Sequence, residues 1–234
     1  MHEADKAYLA PQLMRSVGRT KGGEAMWISW KHEDTDFSQP MTFDQKVEVF
    51  YEQTLGWQLH IANLIANGGT TFNEFKRGIP GYRVKGIRHS GFAVVHICLS
   101  YFETIGQCVW TGGSRACFEA GVREVFPSLA TEDSALVDGL VEELYDNARC
   151  GLYHSSRTRA GVGLGQPSDG SALAYDPVHR VLVLSPERLP SALVEHLESF
   201  RSKLLDSTNL DARAAFEQWF DREASFGSGR PAKP

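Results

Sequence analysis

The stretch from Ile87 to Val109 is the part of this sequence that most constrains the fold. It predicts a long helix that is apolar on nearly every side, and such a helix must be surrounded by other elements. Along it, His89, His96 and Glu103 recur every seven residues and form a narrow polar stripe. Burying polar groups without partners costs about 1–3 kcal/mol each. The stripe is therefore predicted to face solvent, a partner subunit or a polar site.

Amphipathic segments on both sides of this stretch can supply the surrounding layer. A helix is predicted from an N-cap at Thr42 to about Ala66, where Asn67, Gly68 and Gly69 stop it. Further helices are predicted over residues 114–125, from about 131–134 to the region of 150, from about 185 past 200, and over about 211–224. The fold class is therefore mainly α, a bundle of about five or six helices.

Three other segments complete the predicted organisation. Two short strands over Ala172–Tyr175 and Arg180–Leu184 predict a small β-hairpin at about residues 172–184, before the C-terminal helices. Residues 70–90 are predicted to hold a helical turn and a Gly/Pro loop. Residues 155–165 are polar and Gly-rich, and the stretch 161–165 within them is predicted to be a flexible link. We expect an N-terminal arm over residues 1–40, one helical domain over 41–224 and a flexible tail over 225–234.

Composition and charge exclude several classes of protein. Of the 234 residues, 42% are hydrophobic and 23% are charged, which is typical of a globular chain. No uninterrupted apolar run of about 18 residues and no N-terminal apolar stretch stands out, so we expect a cytoplasmic protein that does not contact a membrane. The net charge of −5 does not indicate nucleic-acid binding, which would need a local basic surface. One locally basic segment is either a solvated loop or an anion-binding surface, and its cations are Lys76, Arg77, Arg83, Lys85 and Arg88.

Neither a metal centre nor a cofactor is predicted. The four cysteines, Cys98, Cys108, Cys117 and Cys150, have no spacing that completes a zinc set with each other or with histidine, so we expect free thiols. The Gly-rich stretch 161–165 lacks the Lys-Ser/Thr of a phosphate-binding loop.

The element from Arg149 to His154 is the strongest candidate for chemistry. Arginine always carries its charge and grips phosphate with two hydrogen bonds, and histidine titrates near neutral pH and transfers protons. Five residues of continuous helix separate the two side chains by about 140° around the axis, so two copies of the chain could gather both pairs in one cleft. The structural alternative is an ion pair of Arg149 with Glu142 or Asp146, with His154 at a helix end.

With its context, this element resembles the HEPN family, whose members carry Arg-x4–6-His near a helix junction in a bundle of four or five helices. The resemblance covers roughly residues 42–205, and Arg149 and His154 are the positions that match. The long helix with its polar stripe and the helix at 114–125 occur in the same order. The chain departs from the family at Cys150, where many active members have Asn, Asp or His.

The resemblance implies metal-independent RNA cleavage, homodimers or paired domains, and roles in toxin–antitoxin or antiviral systems. It implies that Arg149 and His154 are catalytic, with Glu103 as an acidic residue opposite the motif that orients one of them. In the sequence itself, no acid follows Arg157 and Arg159 until Asp169, so these cations form either a local positive surface for RNA or a solvated loop. Partners would be a second copy, RNA and a protein such as an antitoxin. Two alternatives stay open. One is a non-catalytic dimeric module that binds RNA, a nucleotide or a protein, which Cys150 favours; the other is a purely structural bundle.

Overall fold

The structure is a computed structural model, and it describes residues 40–72, 80–127, 134–176 and 178–224. Of these residues 65% are helical, in six helices accompanied by two small sheets. The prediction of a mainly α fold is therefore confirmed. The N-terminal arm as far as residue 39, the C-terminal tail from residue 225 and most of the turn and loop predicted around residues 72–79 lie outside the described residues.

The helices follow the predicted order. Helix α1 covers residues 43–67 and consists of Phe43–Thr54, a π-helical turn at Leu55–Leu59, and His60–Asn67. Helix α4 covers residues 134–155 and likewise consists of Ser134–Glu143, a π-helical turn at Leu144–Arg149, and Cys150–Ser155. The other four helices are regular: α2 at Gly91–Val109, α3 at Ser114–Val125, α5 at Leu189–Leu205 and α6 at Leu210–Ala224.

Helix α1 begins where its capping residues predict. The Thr42 hydroxyl accepts the Gln45 backbone N–H at 3.3 Å, and the Gln45 side chain accepts the Thr42 N–H at 2.9 Å. This reciprocal pair is a capping box, which satisfies two N–H groups of the first turn. At the other end Gly68 has a φ of +73°, a left-handed conformation that stops the helix.

Helix α2 is the central element, as its apolar sequence predicts, and it contacts each of the other five helices. It starts at Gly91 rather than near Ile87, because His89 adopts a φ of +61° and cannot continue a right-handed helix. By length and mean hydropathy it is apolar enough to cross a membrane, although no uninterrupted apolar run stands out in its sequence. Half of that stretch is buried inside the protein, so packing against the other helices accounts for part of its apolarity.

Two glycines bring α2 and α3 unusually close together. A Cβ atom on Gly106 of α2 would lie 1.6 Å from the Cys117 carbonyl oxygen, and one on Gly121 of α3 would lie 1.8 Å from the Phe102 carbonyl oxygen. Only glycine leaves room for such an approach of two backbones. The crossing sets the position of the α3 N-terminus relative to Glu103, which lies on α2 near the same crossing.

The prediction for residues 70–90 missed a β-hairpin. Strands β1 (Gly69–Phe72) and β2 (Pro80–Val84) pair antiparallel, with Gly69 opposite Val84. The hairpin lies against the end of α1, where a Cβ on Gly68 would be 2.7 Å from both the Val84 oxygen and the Gly86 nitrogen. Turn-forming residues dominate this segment, so its short strands were not evident in the sequence.

The second sheet confirms one prediction and corrects another. Strands β4 (Leu173–Asp176) and β5 (Val181–Leu184) form the predicted antiparallel hairpin. Strand β3 (Val162–Leu164) pairs parallel with β5, so the order is β3-β5-β4. The Gly-rich stretch is thus partly a strand rather than a flexible link, because Val162 is buried and its glycines carry no side chain that would oppose pairing.

Helices α5 and α6 pack against α1 and α2 and close the core. Phe50 of α1 meets Phe200 of α5 and Phe216 of α6 edge to face. In the same layer the Tyr101 hydroxyl on α2 lies 2.7 Å from Nδ1 of His196 on α5. Tyr101 is fully buried, so this polar pair is part of the core.

Candidate functional site

Helix α4 positions the Arg149–His154 element. Its buried face consists of Val137, Val141, Leu144, Ala148 and Leu152. Between the first and last of these residues the helix widens into the π-helical turn Leu144–Arg149, where the Cys150 N–H bonds to the Tyr145 carbonyl. Such turns are rare and occur frequently at functional sites. Arg149 is the last residue of the turn, at the junction with the final α-helical segment.

The Arg149 guanidinium is held by side chains from two other helices. Its Nη2 donates to Glu103 Oε2 of α2 at 2.9 Å and lies 3.5 Å from the Ser114 hydroxyl at the start of α3. Its carbon centre lies 5.6 Å from the ring centroid of Tyr145 and 5.3 Å from that of Tyr153. The side chains of Arg149 and Glu103 are 24% and 20% exposed, so both reach the surface.

The charge of Arg149 is permanent. Burial acts to lower the pKa of this guanidinium, but the hydrogen bond and negative charge of Glu103, with smaller contributions from Tyr145 and the Cys150 side chain, raise the pKa above its usual value. Glu103 is thus both an anchor for the cation and a competitor for any anion that approaches it. The predicted alternative, an ion pair of Arg149 with Glu142 or Asp146, is wrong, because Arg149 pairs with Glu103, while Asp146 pairs with Arg115 at 2.5 Å.

His154 lies at the exposed end of α4 and reaches the rest of the site through Tyr153. The two rings are 5.1 Å apart between centroids and nearly perpendicular. On the other side, His96 of α2 lies 6.3 Å from the Tyr153 ring. Tyr153 is 65% exposed, and both histidines are exposed as well. The structure therefore gathers Arg149, His154 and His96 around one exposed aromatic ring.

The segment after the motif folds back along α4. The Arg159 N–H donates to the Asn147 carbonyl at 2.8 Å. A Cβ on Gly151 would lie 2.7 Å from the Arg157 carbonyl oxygen, so the return of the chain depends on that glycine. Arg157 and Arg159 are exposed, so the segment adds two cations beside the motif helix.

The N-terminus of α3 also lies at this site. Its N-cap residue is Gly113, which offers no capping side chain, and the position where a Cβ would stand has no atom within 4 Å. The first backbone N–H groups of a helix carry partial positive charge. Ser114 begins this helix and lies beside Arg149, so the helix adds its positive end to the charge of the guanidinium.

The remaining sequence predictions concern the basic segment, the cysteines and a metal centre. Arg83, Lys85 and Arg88 of the basic segment are exposed at and after β2, while Lys76 and Arg77 lie outside the described residues. All four cysteines are free thiols, as expected. In the part of the chain that the structure describes, no group of three metal-ligating side chains comes together.

The sequence alone did not identify Tyr153, Ser114 or Tyr145 as parts of the site. The available signal was weak: an aromatic residue stands next to a polar stretch at a helix end, and a serine follows two glycines. Glu103 was identified from its place on the polar stripe, and the structure shows that it contacts Arg149 rather than His154.

No protein-family model matches the sequence, and neither a curated protein nor a solved structure matches the chain. The resemblance to the HEPN family therefore stays a prediction that rests on the motif and its surroundings.

Proposed function

We propose that this chain is a metal-independent RNA endonuclease of HEPN type that acts as a homodimer. The observation that carries the proposal is the cluster of a permanent cation, a carboxylate and a histidine at one surface: Arg149, Glu103 and His154. These are the residue types that cleavage of a phosphodiester requires in the absence of a metal.

The chemistry follows from the roles of these side chains. His154 accepts the proton of a ribose 2′-hydroxyl, whose oxygen then attacks the adjacent phosphorus. The bond from phosphorus to the 5′ oxygen breaks, and that oxygen takes a proton from water, so the products are a 2′,3′-cyclic phosphate and a 5′-hydroxyl. His154 then gives its proton to the resulting hydroxide and is regenerated. Arg149 stabilises the negative charge that develops on the phosphate oxygens.

A second subunit is part of the proposal because one subunit supplies only one arginine and one histidine of the motif. In the described residues Arg149 and His154 do not contact each other, and each contacts Tyr153 instead. A two-fold axis near His154 would place a second Arg and His beside the first pair. Sedimentation should then give about twice the chain mass of 26.0 kDa, and a strict monomer at tens of micromolar would argue against this arrangement.

One observation favours a second candidate function. Glu103 already neutralises Arg149, so a phosphate must compete with a carboxylate 2.9 Å from the guanidinium. This arrangement, together with Cys150 in the motif, suits a dimeric module that binds RNA, a nucleotide or a protein without cleaving it.

Cleavage of labelled RNA in EDTA tests the proposal. The His154→Ala variant should lose about 10²–10⁴-fold in rate, because general acid–base help is removed. We expect Arg149→Ala to lose a similar factor and Arg149→Lys to recover part of it, since lysine supplies the charge without the guanidinium fork. An all-DNA strand should survive because it lacks the 2′-hydroxyl.

Two matched variants control for general effects of the substitutions. Arg123→Ala removes an arginine of α3 that pairs with Asp138 at the surface, and His179→Ala removes a histidine that is 75% exposed in the turn between β4 and β5. Both should cleave RNA at the rate of the unaltered chain. Activity that disappears in EDTA, or equal cleavage of DNA, would refute the mechanism, and RNA binding without cleavage would favour the second candidate.

A further inference from the structure

Tyr153 is the most exposed aromatic side chain at the candidate site, and three neighbouring side chains hold its ring. The residue is 65% exposed although it follows Leu152, which is only 2% exposed, on the same helix. Arg149, four residues earlier, lies over the ring at 5.3 Å, while His96 and His154 lie against it from α2 and α4. The ring is thus held by three neighbours while much of it stays open to solvent.

The charges around this ring indicate what kind of group would cover it. Arg149, Arg157 and Arg159 place cations on or beside the motif helix, and the two exposed imidazoles can hydrogen-bond. Proteins that bind single-stranded nucleic acid combine cations for the backbone with aromatic rings on which bases stack. An apolar protein surface would gain little from covering a ring framed by a guanidinium and two imidazoles.

We propose that Tyr153 is the stacking platform for one nucleobase of the RNA that this site binds. The inference rests on the proposed function and adds a base-binding residue to its site. A base stacked on Tyr153 would have its own phosphodiester near Arg149 and His154, since both side chains contact that ring. In a duplex the bases are paired and stacked on each other, so a duplex cannot present a base to Tyr153 without unpairing.

Binding of a short 2′-O-methyl RNA strand to the full chain tests the proposal. The methyl group blocks attack by the 2′ oxygen, so fluorescence anisotropy at constant salt reports binding without cleavage. Tyr153→Ala should weaken binding roughly 10- to 100-fold, as expected for the loss of one stacked base. Tyr153→Phe should bind as the unaltered chain does, because stacking requires the ring and not the hydroxyl. Tyr82→Ala is the matched control, since Tyr82 is 73% exposed on β2.

Two further ligands show whether a base is the group that Tyr153 recognises. A strand with abasic positions should bind the unaltered chain as weakly as Tyr153→Ala binds the normal strand, and the substitution should then cause no additional loss. The same strand annealed to its complement should bind more weakly than the single strand. Equal affinity for single strand and duplex would overturn the stacking of a base on Tyr153.

Failure of this inference can be distinguished from failure of the proposed function. If Tyr153→Ala binds and cleaves RNA as the unaltered chain does, the platform is refuted while the endonuclease stands. If RNA binds through Tyr153 but is never cleaved, the platform stands and the endonuclease is refuted. If the substitution instead separates a dimer into monomers in sedimentation, Tyr153 belongs to a protein interface and the inference is wrong.

Discussion

Alanine at Gly121 or Gly106 should destabilise the protein despite alanine's higher helix propensity. In a helix interior that propensity favours alanine by about 1 kcal/mol. Against it, the new Cβ would lie 1.8 Å from the Phe102 oxygen or 1.6 Å from the Cys117 oxygen, and both of these are backbone atoms that cannot rotate away. Helices α2 and α3 must therefore separate by more than about 1 Å.

The cost of that separation outweighs the gain in propensity. A gap of 0.5–1 Å already loses about a quarter to a half of the dispersion energy of the atoms concerned. Overpacking a core in this way costs roughly 3 kcal/mol at the upper end of its usual range, so the net loss per substitution should be about 2 kcal/mol or more. The separation would also move Ser114 and Glu103 relative to Arg149.

Urea unfolding followed by circular dichroism measures the effect. The control is Gly139→Ala on α4, where a Cβ would have no atom within 4 Å, so that this variant should be more stable by about 0.5–1 kcal/mol. A Gly121→Ala or Gly106→Ala variant as stable as Gly139→Ala would refute the close crossing of α2 and α3.

Three further predictions concern other parts of the molecule. Burial lowers the pKa of His196 below 6.5 in the folded protein. The contribution of this residue to the free energy of unfolding should therefore be fully present above about pH 6.5 and should decrease as the pH falls toward the folded-state pKa. In melting curves recorded at several pH values, His196→Gln should make the melting temperature less dependent on pH. Gly151→Ala should displace the returning segment, because its Cβ would lie 2.7 Å from the Arg157 oxygen; we expect both a lower melting temperature and weaker binding of 2′-O-methyl RNA, and binding at full strength would argue against a role for this segment. Arg157→Gln and Arg159→Gln should each reduce the salt dependence of RNA binding. If each cation contacts one phosphate, the slope of the logarithm of the binding constant against the logarithm of the salt concentration should become less steep by about 0.7. An unchanged slope would show that these cations do not contact the RNA backbone.

The helical part of the fold could be predicted because its signals are local. Thr42 with Gln45 three residues later indicates a helix start, and the apolar positions of α2 and α4 recur at helical spacing. The sheets were predicted less well. Strand β3 is only three residues long, and its pairing with β5 joins segments that are distant in the sequence, so no local pattern could indicate it.

In the candidate site, the sequence alone identified the charged residues, whose chemistry follows from their residue type, but not the residues whose role depends on tertiary packing. Arg149 was identified because an arginine and a histidine at this spacing suit phosphodiester chemistry, and Glu103 because a charge on an otherwise apolar helix needs a partner. Tyr153 was missed, since aromatic residues at helical spacing are usually part of a core, and its exposure depends on tertiary packing that leaves residues 153–157 at the surface. The return of Arg157 and Arg159 along α4 depends on tertiary contacts that the sequence pattern does not contain.

The π-helical turn at Leu144–Arg149 has a consequence for how such a chain tolerates insertions and deletions. A π turn holds one residue more than an α turn, so removing one residue from 144–149 would restore regular α-helical bonding. The segment that follows would keep nearly its present direction around the helix axis, because the wider turn already absorbs the rotation of about 100° that one extra residue would otherwise cause. Val141 and His154 could therefore both keep their present surroundings, one in the core and one at the surface. A chain that shares this site but has a regular α-helix would therefore have its arginine one position closer in sequence to the buried residues that precede the turn. The spacing from arginine to histidine would be unchanged.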